Sequence, residues 1–513
     1  MDRTDTRGGA IGENLLARFR FPEQARHLPL YARLSGDVRL DRDAGGFTCA
    51  EGGEIDGDSY FNALPEGRLR ALCELGDVRV RLRLTGRFEV ALWRRGFGCE
   101  PRELARAVFE GMQPAVLDVP APRPDEQLGR VYVRLRCLSE RGSFCGGEFF
   151  DNAAARPVAL TVVVCTFGRE RSVIELAGKL TGDPDLARFG VEVVVVDNGR
   201  TLAPADFASP KVTLIPSPNT GGSGGFSRGL LEVFSRPGAT HALLMDDDVA
   251  IDTEAVLRAI VLLGRAKRPV AVCGAMLDWE LPTQIYESGA LAFAGADHPG
   301  PHPWRVLPLR HRLDASGSRA LDGLCLPSAI DYGGFWFFAL SVADARRAGL
   351  LLPFFLLGDD IEYGLRLKAM GVSLVEAGGA GVWHLPFYGK LDPAKHYLWT
   401  RNLLAVSAIR ADIGVWLLVW RIVQTVFPEL CKFRYDWAVA ILRGIEDALA
   451  GPAVLTARGQ AGLLDEVRGL IAAASGNTSP QGSAEAARAQ RPAPGGFFRG
   501  LARLFTLGGH LLP

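Results

Sequence analysis

Two short runs of apolar, mostly β-branched residues constrain the fold of this chain most strongly. The first covers residues 159–165 and the second covers residues 191–196, with a polar loop and a helical pattern between them. Strands that are apolar on both faces are typical of parallel sheets covered by helices on both sides. Residues 211–215 and 242–245 continue the pattern at intervals that leave room for crossover connections. We therefore expect an α/β fold with a mostly parallel sheet, whose ligands bind beyond the carboxyl ends of the strands.

An alternating pattern sets the N-terminal part of the chain apart from this region. Residues 78–84 and 131–137 alternate apolar and polar side chains, residues 88–93 form another short run, and glycine and proline turns separate these segments. Alternation of this kind is typical of antiparallel strands with one face on the core and one face in water. The sequence therefore predicts an antiparallel β-sandwich. The arginines of its wet face are interpreted as solvated strand positions, with a carbohydrate-contacting or partner-contacting face as the alternative.

The chain is predicted to have four parts. Residues beyond about 400 follow a helical pattern, and the last part is rich in Gly, Ser, Pro, Gln and Ala, which is typical of a flexible linker. We expect an N-terminal β-sandwich domain over residues 1–150, an α/β domain over 151–400, a C-terminal helical region over 401–475, and a linker with a short amphipathic tail over 476–513.

Composition narrows the classes of function. The 513 residues carry 58 Lys and Arg against 58 Asp and Glu, and 48% of the residues are hydrophobic. The balanced charge gives no global attraction to nucleic acid, so we expect no nucleic-acid partner. The nine cysteines are scattered and form no CxxC pair, which favours free thiols in a reducing compartment and therefore a cytoplasmic protein.

Two apolar segments bear on membrane contact. Residues 413–427 contain Arg421 and have only 15 residues, fewer than the roughly 20 needed to cross a bilayer, so we expect a buried or interfacial helix. Residues 497–505 place apolar side chains beside Arg499 and Arg503. This amphipathic segment suggests peripheral contact with the cytoplasmic face of the inner membrane, and a helix docked on the protein or a frayed end are the alternatives.

An acidic triplet ends the apolar strand at residues 242–245. Strand alternation points Asp246 and Asp248 to the same side and leaves Asp247 on the other side. Three adjacent carboxylates repel one another, so a cation stabilises such a cluster, and oxygen ligands suit Mg²⁺ or Mn²⁺. The sequence therefore predicts a metal site, with solvated acids at a helix N-terminus as the alternative.

Two further loops fall at the carboxyl ends of predicted strands. Thr166, Phe167 and Arg169 follow the first apolar strand, and Asp197 follows the second. An Asp side chain at this place can hydrogen-bond a nucleobase or a ribose. The sequence Asp-Asn-Gly that begins at Asp197 is equally typical of an ordinary turn, and both interpretations stay open.

A glycine-rich loop precedes the acidic triplet. It contains Asn219, Gly221 and Gly222, and four glycines fall within five residues. Glycines let the backbone pass close to a ligand, and the amides of a following helix favour an anion. The loop matches neither a Walker loop nor a dinucleotide-binding fingerprint. A flexible hinge is the alternative.

A second acidic site lies further along the chain. Asp359 and Asp360 follow an apolar segment and precede a predicted helix, whose N-terminus would keep a general base deprotonated. The alternative is a capping acid with Arg366 as its structural partner. His384 follows another apolar segment, and its neutral imidazole could complete a metal site begun by two aspartates. A core or surface histidine is the alternative.

Taken together, these motifs resemble glycosyltransferase family 2, and within it the bacterial galactofuranosyltransferases that polymerise galactan. The resemblance covers most of residues 55–410. Its motifs are, in order, Tyr60–Ala63, Thr166–Arg169, Asn219–Gly225, Asp246–Asp248, Asp331–Trp336, Asp359–Gly364, Trp383-His384 and Arg401-Asn402.

The resemblance implies a GT-A fold and the transfer of galactofuranose from UDP-galactofuranose to a hydroxyl of a glycan or lipid-linked glycan, with inversion at the anomeric centre. It implies that Asp246, Asp248 and His384 hold Mn²⁺ or Mg²⁺ and that Asp360 deprotonates the acceptor. The residues it assigns to donor binding are Thr166, Phe167, Arg169, Asp197, Asn219, Gly221, Gly222, Asp246 and Asp247. Those it assigns to acceptor binding are Trp336, Asp359, Trp304 and Phe387.

Other functions stay open at this stage. A family 2 enzyme could use another donor, such as UDP-galactopyranose, UDP-glucose or dTDP-rhamnose. An inactive glycan-binding scaffold is a second alternative, although retention of both acidic sites argues against it. A nucleotidyltransferase is disfavoured, because no lysine-rich phosphate clamp accompanies the acids. A homo-oligomer is compatible with the sequence.

Overall fold

A computed structural model of the chain describes residues 14–43, 45–111, 114–293, 305–386, 392–411, 413–456 and 459–475. The predicted α/β fold class is confirmed, with antiparallel sheets before the α/β region and helices after it. Trp304, Phe387 and the segment 497–505 lie outside the described residues, so their expected roles stay predictions.

The N-terminal part is built from strands that alternate buried and exposed side chains. The strands are β1 (Asn14–Arg18), β2 (Arg33–Ser35), β3 (Val38–Asp41), β4 (Gly46–Ala50), β5 (Glu54–Asp56), β6 (Arg79–Thr85), β7 (Arg87–Arg95), β8 (Arg102–Glu110), β9 (Ala115–Asp118), β10 (Arg130–Cys137) and β11 (Arg141–Asp151). One helix, α1 (Glu66–Leu72), lies between β5 and β6.

These strands form two antiparallel sheets. One has the order β3-β4-β11-β6-β9, with β1 paired to β11, and the other has the order β2-β5-β10-β7-β8. Leu82 of β6, Val90 of β7 and Val133 of β10 belong to one buried apolar cluster. The inward side chains of both sheets thus share a core, as a sandwich requires.

The α/β region alternates strands and helices. Its strands are β12 (Leu160–Thr166), β13 (Glu192–Asp197), β14 (Val212–Pro216), β15 (His241–Asp246), β16 (Ala250–Ile251), β17 (Val270–Asp278), β18 (Gln284–Glu287), β19 (Ala290–Ala292), β20 (Val306–Pro308), β21 (Leu313–Asp314), β22 (Phe338–Ser341) and β23 (Ser373–His384). Its helices are α2 (Glu170–Gly182), α3 (Pro184–Arg188), α4 (Gly221–Ser235), α5 (Glu254–Arg265), α6 (Ser318–Cys325), α7 (Val342–Ala348) and α8 (Asp359–Ala369).

The central sheet is mixed rather than mostly parallel. Its order is β14-β13-β12-β15-β22-β17-β18-β21, and β23 pairs with β16 and β17. The four strands predicted from the sequence, β12 to β15, are parallel as expected. The pairs β15–β22, β17–β22, β17–β18 and β18–β21 are antiparallel. An apolar run indicates burial but not strand direction, which is why the sequence did not reveal these pairings.

Register brings the predicted loops to one edge of the sheet. Thr166 pairs with Asp197, and Cys165 pairs with Asp246, so three strands end at the same level. Asp278, the last residue of β17, pairs with His384, the last residue of β23. The carboxyl ends of these strands therefore carry the candidate site.

Ion pairs join the β-sandwich to the α/β region. Arg18 of β1 donates from its Nε to Glu254 of α5 at 2.9 Å, and its Nη1 lies 2.8 Å from Asp185. Arg265 at the other end of α5 lies 2.8 Å from Asp151. The partners are largely buried, so removal of one partner would leave an uncompensated buried charge.

Helices follow the α/β region. They are α9 (Pro393–Arg410), α10 (Val415–Cys431), α11 (Tyr435–Leu449), α12 (Ala453–Thr456) and α13 (Gln460–Ala474). None of the helices within the described ranges is long and apolar enough to span a bilayer. Helix α10, expected to be buried or interfacial, is not buried, because its side chains are exposed or only partly covered.

Candidate active site

Asp246, Asp248 and His384 come together at the carboxyl edge of the sheet. His384 Nε2 lies 2.9 Å from Asp248 Oδ1 and 3.9 Å from Asp246 Oδ2. One ligand atom from each side chain falls within 4.8 Å of the other two. Two carboxylates and an imidazole at this spacing form a donor set that fits a divalent cation.

Asp247 lies apart from these three ligand atoms. Its side chain is buried, whereas Asp246 and Asp248 are partly exposed. Arg169 Nη1 donates to Asp247 Oδ1 at 2.7 Å and lies 3.0 Å from Asp248 Oδ2. Burial raises the pKa of Asp247, and the guanidinium of Arg169 acts against that rise. Arg169 therefore offsets part of the negative charge of the triplet.

Asp359 and Asp360 begin helix α8, and the backbone that leads into them is unusual. Phe355, Leu357 and Gly358 have φ values of 71°, 68° and 85°. The left-handed region is unfavourable for residues that carry a Cβ, so other contacts must hold Phe355 and Leu357 there.

Contacts from two helices hold this entry loop. Asn402 of α9 donates from Nδ2 to three carbonyls of Phe354–Leu357, at 2.7 to 3.2 Å. Ser223 Oγ of α4 accepts the Phe355 N–H at 2.9 Å. A Cβ on Gly221 would lie 2.1 Å from the Phe355 carbonyl oxygen, so only glycine fits at that position. Residues that are remote in sequence thus position the start of α8.

The two carboxyls of α8 have raised pKa values. Burial raises the pKa of Asp359 to about 7 and that of Asp360 to about 8, and the Asp359 carboxylate is the second cause for Asp360. Burial thus acts against the helix N-terminus, which was expected from the sequence to keep Asp360 ionised, and that expectation stays a prediction. A base with a pKa near the working pH is still effective in proton transfer.

One cavity joins the two acidic sites. It has a volume of about 530 Å³, and its wall includes Asp246, Asp248, His384, Asp359 and Asp360. The wall also includes Arg169, Gly222, Tyr286, Glu287, Tyr332, Phe335, Trp336, Lys395, His396 and Trp399. Charged groups of both sites therefore face a common space large enough for a ligand.

The carboxylate of Asp197 accepts hydrogen bonds from the backbone of its own turn. Its Oδ1 accepts the Gly199 N–H at 2.8 Å, and its Oδ2 accepts the N–H groups of Thr201 and Leu202 at 2.7 and 2.9 Å. The carboxylate is buried. Of the two interpretations left open by the sequence, these contacts favour the structural turn, and donor binding by Asp197 stays a prediction.

The glycine-rich loop is the start of helix α4, not a hinge. A Cβ on Gly225 would lie 2.1 Å from Cys165 Sγ, and one on Gly229 would lie 2.1 Å from Val163 Cγ1. These glycines let α4 pack closely on β12. Gly222 lines the cavity, and Asn219 Oδ1 accepts the Gly221 N–H at 3.1 Å.

The other predicted contact residues have different surroundings. Thr166 is buried at the end of β12, and the Phe167 side chain is 59% exposed. Trp336 lines the cavity but is only 4% exposed, and its Nε1 donates to the Gly274 carbonyl at 3.0 Å. Their roles in donor and acceptor binding stay predictions.

Glu287 is a cavity residue that the sequence reasoning missed. It is 6% exposed, and within the described residues its Oε1 has no hydrogen-bond partner. Burial raises the pKa of Glu287, and Asp360 adds to that rise, so the two carboxyls interact electrostatically. A lone acid at the end of a short strand gives no sequence signal of such a position.

The β-sandwich supports the residue next to His384. The Trp383 ring stacks on His27 with centroids 4.3 Å apart and lies 5.6 Å from the Phe61 ring. Trp383 Nε1 donates to the Pro282 carbonyl at 3.0 Å. The motif Tyr60–Ala63 thus contributes to the site by packing behind it.

Sequence comparison identifies relatives of this chain. The family model described as "Glycosyltransferase like family 2" matches residues 157–397. The galactofuranosyltransferase GlfT2 of Mycolicibacterium smegmatis is 27% identical over 420 residues, which cover 78% of this chain and 64% of the relative. GlfT2 of Mycobacterium tuberculosis is 27% identical over 433 residues, covering 78% and 66%. The chain thus spans about two thirds of the length of these relatives.

Solved structures give weaker matches. A mannosyltransferase from Pyrobaculum calidifontis in complex with GDP-Man and Mn²⁺ is 16% identical over 63% of this chain and 87% of its own, with a TM-score of 0.33. GalNAc-T7 with UDP, GalNAc and Mn²⁺ is 12% identical over 51% of this chain and 49% of its own, with a TM-score of 0.36. Both TM-scores are low, so these structures add nothing to the sequence matches.

The region matched by the family model begins just before β12 and ends within α9, so it contains both acidic sites and the wall of the cavity between them apart from Trp399. The sheet topology, the position of the acidic triplet and the two named relatives agree with the resemblance noted in the sequence. Residues 157–397 are therefore similar to the family 2 glycosyltransferases over the part of the chain that carries the acidic triplet, Asp359, Asp360 and His384.

Proposed function

We propose that this chain is an inverting, metal-dependent galactofuranosyltransferase. It transfers galactofuranose from UDP-galactofuranose to a hydroxyl of a glycan or lipid-linked glycan. The observation that carries this proposal is that Asp246, Asp248, His384 and Asp360 line one cavity. The names of the two sequence relatives support the choice of donor sugar.

The donor set fits Mn²⁺ or Mg²⁺, with Asp246, Asp248 and His384 as protein ligands. When bound, the cation supplies positive charge that stabilises the departing diphosphate. Arg169 adds a fixed positive charge beside the same carboxylates, since its guanidinium lies 3.0 Å from Asp248.

Asp360 is the proposed general base. The acceptor hydroxyl gives its proton to the Asp360 carboxylate as the oxygen forms a bond to the anomeric carbon. The bond between that carbon and the diphosphate oxygen breaks, and UDP leaves with the electron pair. Attack from the face opposite the leaving group inverts the anomeric centre in a single step.

Asp359 tunes this base through its charge. An ionised Asp359 disfavours ionisation of its neighbour, so the pair holds its first negative charge more readily than its second. The contacts of Asn402 and Ser223 to the loop before α8 fix where the Asp360 carboxyl sits relative to the metal ligands.

A donor panel tests the proposal. UDP-galactofuranose, UDP-galactopyranose, UDP-glucose and dTDP-rhamnose are offered with a short galactofuranoside acceptor, and nucleotide release and product mass are measured. We expect transfer from UDP-galactofuranose alone and a product whose anomeric configuration is opposite to that of the donor. Chelation should stop transfer, and Mn²⁺ or Mg²⁺ should restore it. Preferred use of another donor, retention of configuration, or full activity in chelator would each contradict part of the proposal.

A further inference from the structure

Helices α9 and α11 approach each other closely at Gly444. A Cβ on Gly444 of α11 would lie 2.8 Å from the Tyr397 carbonyl oxygen and 3.1 Å from Thr400 Cβ, both in α9. Glycine at this position lets the two backbones come together. Asp447 follows Gly444 by three residues, so it lies on the same side of α11. The close approach therefore brings Asp447 within reach of α9.

A chain of hydrogen bonds starts at Asp447. Its Oδ2 accepts the Tyr397 hydroxyl at 2.7 Å, and the same hydroxyl oxygen accepts from Arg401 Nη1 at 3.3 Å. All three side chains are buried. Burial raises the pKa of Tyr397 to about 12, so its hydroxyl keeps the proton that it donates to Asp447. The bonds therefore run in one direction, from the guanidinium through the hydroxyl to the carboxylate, and each polarises the next.

Asp447 supplies negative charge to a buried cation. Burial lowers the pKa of Arg401, and Tyr397 and Asp447 act against that fall. Arg443 of α11 donates from Nε to the other oxygen of Asp447 at 3.0 Å, so both oxygens of the carboxylate are held. Removing the partner of a buried charge is costly, so loss of Asp447 would loosen Arg401.

Arg401 acts on the loop before α8 in two ways. Its Nη2 donates to the Phe354 carbonyl at 2.9 Å, and its Nε donates to Asn402 Oδ1 at 2.9 Å. Because a guanidinium can only donate, it keeps the Asn402 oxygen on its own side and leaves Asn402 Nδ2 to face the loop. That Nδ2 donates to the carbonyls of Phe354, Leu356 and Leu357. Arg401 therefore contacts the loop and also orients Asn402.

The loop held in this way leads directly into the proposed base. Leu357 and Gly358 precede Asp359 and Asp360, and Leu357 has a φ of 68°. A residue with a Cβ keeps this left-handed conformation only while its surroundings hold it. A displacement of about 1 Å at a reacting group can cost on the order of a hundredfold in rate. A small movement of the loop would therefore reach the chemistry.

We propose that Tyr397 and Asp447 are positioning residues for the general base, acting through Arg401 and Asn402. The inference rests on the proposed function, since that function assigns the role of base to Asp360. Neither Tyr397 nor Asp447 lines the cavity, and no residue of α11 does. The proposal thus gives a helix of the C-terminal region a part in catalysis. The alternative is a contact that only joins two helices.

Two buried tyrosines give a matched test. Tyr397→Phe removes the hydroxyl between Arg401 and Asp447 and keeps the ring. Tyr363→Phe, in α8 itself, removes a hydroxyl that has no hydrogen-bond partner within the described residues, and both tyrosines are 0% exposed. We expect Tyr397→Phe to lower kcat about tenfold while its affinity for UDP with Mn²⁺ stays within about twofold of wild type. Tyr363→Phe should behave as wild type in both assays.

A double variant tests whether Tyr397 and Asp447 act through one route. Asp447→Ala should lower kcat by about the same factor as Tyr397→Phe. The two changes together should be no slower than the slower single variant, because residues that act through one contact are not additive. Losses that multiply to about a hundredfold would refute the proposed route, since Asp447 would then act independently of Tyr397.

Amide hydrogen exchange measures the loop without any donor sugar. The Phe355 and Leu356 N–H groups donate to Ser223 Oγ and to the Phe354 carbonyl. We expect them to exchange about tenfold faster in Tyr397→Phe than in wild type or Tyr363→Phe, with the amides of β12 unchanged. Unchanged exchange of the loop, wild-type kcat in a folded Tyr397→Phe protein, or an equal loss in Tyr363→Phe would overturn the positioning role.

The exchange measurement also separates this inference from the proposed function. A wild-type protein that does not use UDP-galactofuranose, but whose loop exchanges faster in Tyr397→Phe, would contradict the proposed donor and support the hold of Tyr397 on the loop. A wild-type protein that does use it, with kcat and loop exchange unchanged in Tyr397→Phe, would support the donor and contradict the positioning role.

Discussion

At the scale of single residues, the aspartates of the cavity fall into two groups with different proposed roles. Asp246 and Asp248 lie with His384 in a set of ligand atoms within 4.8 Å of one another. Asp359 and Asp360 lie at the start of a helix and have raised pKa values, because burial disfavours their charged forms. Groups held ionised beside a cation suit metal binding, and a group that titrates near neutrality suits proton transfer.

The raised pKa of Asp360 predicts an alkaline rise in activity. The base must be deprotonated and burial raises its pKa, so kcat/KM should increase with pH above the usual titration range of a carboxyl. Asp359→Asn removes a negative neighbour and should move the midpoint to lower pH. The measurement is a pH–rate profile of both proteins. A flat profile, or a shift of the variant to higher pH, would contradict this assignment.

The raised pKa of Asp360 also predicts that the stability of the fold depends on pH. The folded pKa of Asp360 lies above its unfolded value, so the folded state favours the protonated form. The resulting stabilisation is present below the unfolded pKa and is lost as pH rises through about 8. Asp360→Asn should therefore melt at a higher temperature than wild type at pH 9, and the difference should shrink toward pH 5. Thermal melts across this pH range provide the measurement.

At the scale of elements, the loop before α8 is held by contacts from elsewhere in the chain. Phe355 and Leu357 adopt left-handed backbone conformations that Asn402 and Ser223 stabilise through hydrogen bonds. Gly221 meets the Phe355 carbonyl so closely that no side chain fits between them. The glycine-rich loop therefore positions the start of α8, which carries the proposed general base Asp360.

Two neighbouring glycines give a matched test of this positioning. Gly221→Ala introduces a Cβ 2.1 Å from the Phe355 oxygen at a residue with φ of 69°, whereas Gly222→Ala has 3.7 Å to its nearest atom. We expect Gly221→Ala to lower the free energy of unfolding by about 2–4 kcal/mol and to reduce kcat. Gly222→Ala should fold with near wild-type stability. Equal stability of the two variants in urea denaturation would argue against the close contact.

Much of this level of structure was predictable from sequence. The apolar runs at β12, β13 and β15 and the acids that follow them gave the strand ends correctly, because both signals are local. The direction of β22, the exposure of α10 and the position of Glu287 were not predictable. Each depends on which distant segment packs beside it, and an apolar run or a lone acid contains no such information.

At the scale of the whole molecule, residues of the N-terminal part pack behind the proposed metal ligands of the α/β region. His27 and Phe61 of the N-terminal part pack on Trp383, the residue before His384. Arg18 and Glu254 join the two parts through buried hydrogen bonds. The sequence indicated a sandwich but gave no reason for its presence, since these contacts connect residues more than 200 positions apart.

Phe61→Ala tests whether the sandwich supports the site. The side chain is fully buried, so its loss should cost about 3–5 kcal/mol of stability. The loosened Trp383 should also weaken Mn²⁺ binding by His384 and the two aspartates. Phe97→Ala, at an exposed residue of the same sandwich, is the control and should leave both quantities unchanged. Mn²⁺ titration and thermal melts provide the measurements. Wild-type metal affinity in a folded Phe61→Ala protein would show that the support is not needed.

The most direct test asks whether metal binding and proton transfer depend on different aspartates. It compares two variants in the same pair of assays. UDP binding in the presence of Mn²⁺ and single-turnover transfer from UDP-galactofuranose are measured for Asp360→Asn and for Asp246→Asn with Asp248→Asn. We expect Asp360→Asn to bind UDP within twofold of wild type and to transfer roughly a thousandfold more slowly, and we expect the double variant to lose both. Transfer at the wild-type rate by Asp360→Asn, or loss of its UDP binding with an intact fold, would contradict the account.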